Sequence, residues 1–336
     1  MTGPGAVAAS SRWTVLAGVL ACPECGRALD LAAEGEEGAA SCPACSKSYV
    51  LGGGILRFDV PQESGDWDLS GFEETYRRTG YFEEDWEWRE KQGVPREVTD
   101  YDFPRIKGRL IEWLEPFDGC THLDVGCGVG HFFYQIAARY PGVAMTSVGV
   151  EITTERLRWL AERVGREGPP TIFPILGVGE KLPFADGSFD RITCTEVLEH
   201  IADPAAAIAD MARVLKPGGL LLLTTPSRGG IDKWERLVVP LVFAKRLLRG
   251  RSETSWPEAY DEPLYIGELS AAIDEAGLQT LNLLRTVAIP QRHYLARLPR
   301  WAMRGILSVC GFCEGHLGWL AAPFGQHSVA RCRKPE

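Results

Sequence analysis

A chain of 336 residues has room for about two folding units of roughly 100 to 200 residues each, which excludes a single small scaffold. With 45% hydrophobic, 24% charged and 10% aromatic residues, the composition is that of a globular chain and excludes dominant disorder. Thirty-six Lys and Arg against 45 Asp and Glu leave a formal charge of -9. That excludes a global attraction to phosphate backbones or anionic lipid and restricts any nucleic-acid contact to a local basic patch.

Residues 1 to 12 are small and polar and read as a frayed tail. The apolar run from Val15 to Cys22 is far shorter than the roughly 20 residues of a spanning helix, so no membrane span is expected. Of ten cysteines, four stand as Cys22-Pro-Glu-Cys25 and Cys42-Pro-Ala-Cys45, sixteen residues apart. In a long chain that spacing favours metal over disulfides, and with it a cytoplasmic home. Two knuckles each offering two thiolates make a zinc ribbon over residues 13 to 60. Four cysteine ligands close the coordination sphere of Zn2+, so the ion is structural. Gly26 to Ser41 reads as a hairpin joining the knuckles.

Residues 61 to 104 are acidic and aromatic, with Trp67, Phe72, Tyr76, Tyr81, Phe82, Trp86 and Trp88. They read as a linker with helices, serving either as a lid or as packing between ribbon and main domain. Ile106, Leu110, Trp113 and Leu114 then recur at helical spacing. From there strand and helix alternate: Thr121 to Val125, Phe132 to Ala138, Ala144 to Val150, Thr154 to Val164, and a strand at Phe189 to Thr195. Asp203-Pro204 opens a helix that Lys216-Pro-Gly-Gly219 stops. Leu220 to Thr225 is an unbroken apolar strand. Residues 226 to 265 interrupt the rhythm as a substrate-cap insertion, with an amphipathic stretch at Leu237 to Leu248. Ile266 to Ala276 resumes as helix, and Gln279 to Val287 and His327 to Arg333 close the sheet, the latter as an antiparallel edge. The predicted fold over 105 to 336 is α/β, a Rossmann-like doubly wound sheet, mostly parallel, with the ribbon ahead of it.

The most informative segment is Leu123-Asp124-Val125-Gly126-Cys127-Gly128-Val129-Gly130, a strand running into three alternating glycines and then a helix. Glycine lets backbone pass close beneath a ligand. A dinucleotide loop would read G-x-G-x-x-G. Here the pattern is G-x-G-x-G with an acid just before it, which suits a cationic amino-acid group better than pyrophosphate. Glu151 ends the second strand, where an acid can accept hydrogen bonds from ribose hydroxyls.

These features resemble the class I S-adenosylmethionine-dependent methyltransferases. The likeness continues through Glu180 to Asp190, Thr195 to Ile201 and Lys216 to Gly219. It implies S-adenosyl-L-methionine as cofactor. Asp124, Gly126 and Cys127 would lie at its methionine end, Gly128 and Gly130 beneath it, Glu151 on ribose and Ile152 on adenine. Val178 replaces an acid that often reads the adenine amine, so Gly179 and Glu180 enter as substitutes. Thr195 and Glu196 would border the methionine and acceptor side. The ribbon resembles those of tRNA-methyltransferase activator proteins, here fused to an enzyme.

Methyl transfer needs alignment and exclusion of water, and a hydroxyl acceptor also benefits from a base. His200 and His293 are the candidate catalytic histidines. Cys310, Cys313 and His316, at three-residue intervals, read as helix packing rather than as a metal site. The expected function is methyl transfer to an oxygen or nitrogen of a small biosynthetic acceptor. An RNA or protein methyltransferase using the ribbon, and a cofactor-binding protein that does not methylate, stay as alternatives. The acceptor atom, a nucleic-acid partner and a homo-oligomer are left open.

Overall fold

The computed structural model describes residues 11–60, 63–64, 67–68, 95–167, 171–234, 262–290, 295 and 297–336. Most of the aromatic segment, Leu237 to Leu248 and His293 lie outside them.

Eleven strands form one sheet. The ribbon supplies β1 (Asp30–Glu34), β2 (Glu37–Ser41), β3 (Ser48–Gly52) and β4 (Ile55–Arg57) as an antiparallel meander. The expected hairpin between the knuckles is β1 and β2. A separate small hairpin pairs β5 (Glu63–Ser64) with β6 (Trp67–Asp68). The remaining strands are β7 (Cys120–Val125), β8 (Met145–Glu151), β9 (Ile172–Leu176), β10 (Phe189–Thr195), β11 (Leu215–Pro226), β12 (Gln279–Thr286) and β13 (His327–Arg333). Their order is β1-β2-β3-β4-β9-β8-β7-β10-β11-β13-β12. Strands β9, β8, β7, β10 and β11 are parallel, and β13 runs antiparallel to both neighbours. As expected, His327–Arg333 reverses direction; the outermost position belongs to β12. The order turns back between β7 and β10, which opens a crevice at their carboxyl ends.

Ribbon and main domain share this sheet because β4 pairs in parallel with β9, Leu56 opposite Ile175. Strand β9 went unread in the sequence. Pro174 sits at its centre, and an internal proline argues against a strand. The missing N–H is tolerated for a topological reason. Ile172, Pro174 and Leu176 turn their backbone groups towards the ribbon. There Arg12 Nη1 donates to the Ile172 carbonyl at 2.6 Å and Phe58 N–H to that of Leu176 at 3.0 Å. No ladder partner is lost at Pro174 between them. Arg12 and Ser11 are thus not frayed: Ser11 caps the 3-10 turn Arg12–Leu16, and the Arg12 guanidinium lies 4.8 Å from the Phe173 ring centre. Trp13, fully buried, meets Phe173 edge-on and donates its indole N–H to Glu36 at 3.0 Å.

Both sheet faces are covered, as a doubly wound sheet requires. On one face α2 (Arg109–Leu114), α3 (His131–Arg139) and α4 (Thr154–Arg166) pack; Leu110, Phe132 and Ile136 meet Leu222 and Val329, while Leu157 and Leu160 meet Ile172. On the other, α5 (Pro204–Val214) and α6 (Ile266–Glu275) bury Ile208, Met211 and Leu269 in one core with Leu221 and Leu223, and Trp13, Leu16 and Leu20 of the ribbon belong to that same core. Asp203 caps α5 by accepting from Ala206 N–H at 2.9 Å, with Pro204 at the first helical position.

Helix α1 (Arg96–Phe103) continues through a π turn at Pro104–Gly108 into α2, so the boundary expected at 104/105 falls inside one helical stretch. The lone proline and the wider turn go together, since proline cannot keep the regular helical ladder. The last helices are α7 (Arg300–His316) and α8 (Gly318–Ala321).

Candidate functional site

The crevice is built on the β7 loop. Gly126, Gly128 and Gly130 adopt φ of +73°, +55° and +80°. Their surroundings differ. A Cβ on Gly126 would lie 2.2 Å from Val197 Cγ2, and one on Gly130 would lie 2.4 Å from Leu160 Cδ1. One on Gly128 would meet nothing closer than Arg156 Nη1 at 4.0 Å. Two of the glycines therefore admit the protein's own side chains, and the middle one faces open space. Cys127 is buried and burial pushes its thiol well up; its Sγ fills the hollow over Gly149, where a Cβ would come within 2.6 Å.

Glu151, 3% exposed, closes the loop from β8. Its Oε1 accepts from Ile152 N–H, Thr153 N–H and Thr153 Oγ1, each at 3.0 Å, and its Oε2 accepts from Gly128 N–H at 3.0 Å. Arg156 Nη1 stands 3.5 Å from Oε2. The carboxylate thus staples the first two βα loops together, a role the sequence did not suggest. Arg156, on the inner face of α4, was also missed; a buried arginine leaves no signal in an amphipathic pattern.

Asp124 is buried on the sheet face, where its Oδ1 accepts from Thr193 Oγ1 at 2.6 Å. Thr193 Oγ1 also meets His122 Nε2 at 2.9 Å. Burial pushes the Asp124 carboxyl up to about 7, against the opposing pull of the Thr193 hydroxyl. Burial likewise drives the His122 imidazole down to about 3, so it is neutral.

Gly179 packs against Val125 and Ile201, and Gly177 N–H donates to the Glu151 carbonyl at 3.1 Å. Glu180 is half-buried, with its carboxyl raised chiefly by that burial. Thr195 ends β10 and Glu196 follows it. Glu196 adopts φ +55°, left-handed backbone that a non-glycine residue rarely takes. Its N–H donates to the Thr224 carbonyl at 3.0 Å. Every expected cofactor-side residue therefore gathers at the carboxyl ends of β7, β8, β9 and β10.

The histidines divide differently from the sequence reading. His200 ends the short turn Leu198–His200, with Nε2 4.0 Å from Glu199 Oε1. His293 is outside the described residues. A third, His327, was not singled out: the first residue of β13, it places Nδ1 2.9 Å from Glu196 Oε2. No local pattern could have found it, because 130 residues separate the two and only strand β13 joins them. Cys310 and Cys313 sit on α7, and among the described residues only the ribbon cysteines group as metal ligands.

The four ribbon thiols fit zinc. All lie within 4.8 Å of one another, with Sγ separations of 3.5 Å for Cys22 to Cys45 and for Cys25 to Cys42, and 3.9 Å for Cys25 to Cys45. A tetrahedral ion with Zn–S of about 2.3 Å calls for separations of about 3.8 Å. Tyr49 Oη stands 3.4 Å from Cys22 Sγ as an outer partner.

Comparison with known proteins agrees with this geometry. Residues 123–223 match the family described as a methyltransferase domain. The chain is 30% identical over 178 residues to the ubiquinone biosynthesis O-methyltransferase of Thiobacillus denitrificans, covering 53% of this chain and 72% of that protein. It is 34% identical over 131 residues to the nocamycin O-methyltransferase of Saccharothrix syringae, covering 39% and 46%. Among solved structures it is similar to phosphoethanolamine N-methyltransferase 2 of Haemonchus contortus with S-adenosyl-L-methionine, at 19% identity and TM-score 0.46, covering 68% of this chain and 52% of the other. The alternating sheet, the glycine loop, the matching methyltransferase domain and the Thiobacillus relative together make the chain a member of the class I S-adenosylmethionine-dependent methyltransferases.

Proposed function

We propose that this enzyme methylates a hydroxyl oxygen of a small biosynthetic acceptor. The carrying observation is the Glu196–His327 pair at the carboxyl ends of β10 and β11, beside the glycine loop. A hydroxyl must lose its proton to accept a methyl group, and a histidine oriented by a carboxylate is suited to take it. In this reading Glu196 Oε2, 2.9 Å from Nδ1, orients the imidazole as the base. His200 then orients the turn behind the site.

S-adenosylmethionine, when bound, supplies an activated methyl on a sulfonium. The chain's residues hold it: Gly128 offers the open backbone surface, Asp124 the charge for its amino group, and Glu151 Oε2 the remaining capacity for ribose. Ile152, Gly179 and Glu180 rim the adenine side. The cysteines hold a structural zinc, and the ribbon at 13 to 60 acts as a fused counterpart of the tRNA-methyltransferase activator type. Unpaired thiolates persist in a reducing compartment, which supports a cytoplasmic location. An RNA acceptor is opposed by the ribbon, which carries six acids against four bases over residues 11 to 60.

Methyl-labelled cofactor, offered with phenolic, carboxylic and amine acceptors and with RNA, tests this directly. A methoxy product is expected; label in RNA or only N-methyl products would overturn it. Two variants test the base. His327→Gln should lower kcat about 100-fold or more, leaving cofactor affinity in place. Glu196→Gln, which removes the carboxylate that orients the imidazole, should lower kcat in the same direction.

Asp124 gives a pH dependence. Its carboxyl, held near 7, must ionise to meet a cationic amino group. Ionisation is completed as pH rises, so cofactor affinity should strengthen between about pH 6 and pH 8. Asp124→Asn should abolish that trend in calorimetry; a trend that persists would remove Asp124 from the cofactor site.

A further inference from the structure

The carboxyl-terminal helix is apolar on both sides, and only one side is covered. Inward, Met303 and Leu307 pack with Val98, Tyr101, Ile106, Val287 and Ile289. Glu314, the single acid between Leu295 and Gly325, also turns inward. It accepts from Tyr101 Oη at 2.8 Å, Arg105 Nε at 2.6 Å and Ala288 N–H at 2.6 Å. Outward, Trp301 is 79% exposed and Trp319 75%, with Val309, Phe312 and Leu320 exposed between and beside them. Positions 301, 309 and 312 fall within about 80° of arc on a helix of 3.6 residues per turn, so they form one stripe. Most of the exposed large hydrophobic side chains among the described residues lie between Leu298 and Leu320.

Charge distinguishes what this stripe fits. The chain as a whole is acidic, yet Arg297, Arg300 and Arg304 flank the stripe. Glu97 holds the last two along one edge, at 3.9 Å from Arg300 and 2.9 Å from Arg304. Tryptophans at both ends of an apolar stripe, with arginines along its flank, are what a helix lying in the headgroup layer of a bilayer presents. The stripe also has a defined place. Through Glu314 the helix is fixed to Ala288 just beyond β12, and Gln326, next to His327, donates its N–H to the Val287 carbonyl. It therefore lies at the carboxyl end of the sheet, the end that carries the glycine loop.

We propose that the outward face of α7 and α8 is a docking surface for an anionic lipid bilayer. The chain binds peripherally, since among the described residues no helix is long and apolar enough to cross a membrane. The proposal stands apart from the nature of the acceptor and is tested without one.

The test is flotation of the full chain with vesicles of phosphatidylglycerol and phosphatidylcholine, against phosphatidylcholine alone. The protein should float with the anionic vesicles, less so at high salt, because exposed charges are screened. The double variant Trp301→Ser with Trp319→Ser should lose about tenfold or more in partitioning. Its melting temperature should hold, because both side chains lie outside the core. Failure of the wild type to float with anionic vesicles, or equal flotation of the double variant, would overturn the proposal. So would a concentration-dependent dimer in sedimentation velocity that the double variant abolishes, which would assign the stripe to a second copy of this chain.

Discussion

Gly126→Ala should destabilise the fold, whereas Gly128→Ala should leave it nearly intact and remove cofactor binding. Both glycines have positive φ, so each alanine carries about 1 kcal/mol of backbone strain. Their neighbours separate them. At position 126 the new methyl would sit 2.2 Å from Val197 Cγ2 and 2.8 Å from Cγ1. Val197 is β-branched, is wedged between Leu198 and the strained Glu196, and has little freedom to move. Overpacking of that kind adds roughly 1 to 3 kcal/mol, for a total of about 2 to 4. Gly130→Ala should fall between, because its obstacle is the flexible end of Leu160. At position 128 the methyl enters open space, the space a ligand would use. Thermal melts and calorimetry with S-adenosylhomocysteine separate the cases. Cofactor affinity of Gly128→Ala within a few-fold of wild type would refute the loop as the cradle.

Removing Cys42, one of the four clustered thiols proposed to hold zinc, should damage the enzyme as well as the ribbon. Cys42→Ser, or chelation, is expected to release zinc and lower the melting temperature by about 10 °C or more. Structural zinc supplies several kcal/mol of folding energy, at about 2 to 4 °C per kcal/mol in a chain of this size. Cofactor affinity should fall with it, for a structural reason. Strand β4 pairs with β9, and the first knuckle is bonded to the segment after Glu180. Ala21 N–H donates to the Pro183 carbonyl at 3.0 Å, Ala185 N–H to that of Val19 at 2.8 Å, and Lys181 pairs with Glu24 at 3.1 Å. These contacts support Gly177 to Glu180, the segment proposed for the adenine side. Metal analysis, melts and cofactor calorimetry on one preparation test the coupling. A zinc-free variant with unchanged affinity would make the ribbon an independent appendage.

Much of the site was legible without coordinates, because its signals are local. The G-x-G-x-G loop needs glycine where φ is positive or a side chain intrudes, and a strand and helix must flank it. The C-x-x-C pairs need only the reach of a tight turn. Alternation of apolar strands with amphipathic helices specified the parallel sheet, and Asp203-Pro204 marked its helix in two residues. Strand β9 escaped because an internal proline argues against a strand, and here β4 pairs only with Ile175 and Leu176, while Arg12 and Phe58 meet the carbonyls of Ile172 and Leu176 on either side of Pro174.

What the sequence determined by itself was thus the kind of fold, through alternation along the chain, and the candidate cofactor and metal sites, through backbone geometry and spacing within short segments. The folded chain alone decided that the ribbon continues the main sheet through Leu56 and Ile175, that Asp124 shares a hydroxyl with His122, and that His327 meets Glu196. Each of those contacts joins different strands, in two cases more than a hundred residues apart. Hydrogen-bond register across a sheet is set by the packing of both faces together, and leaves no periodic trace along the chain.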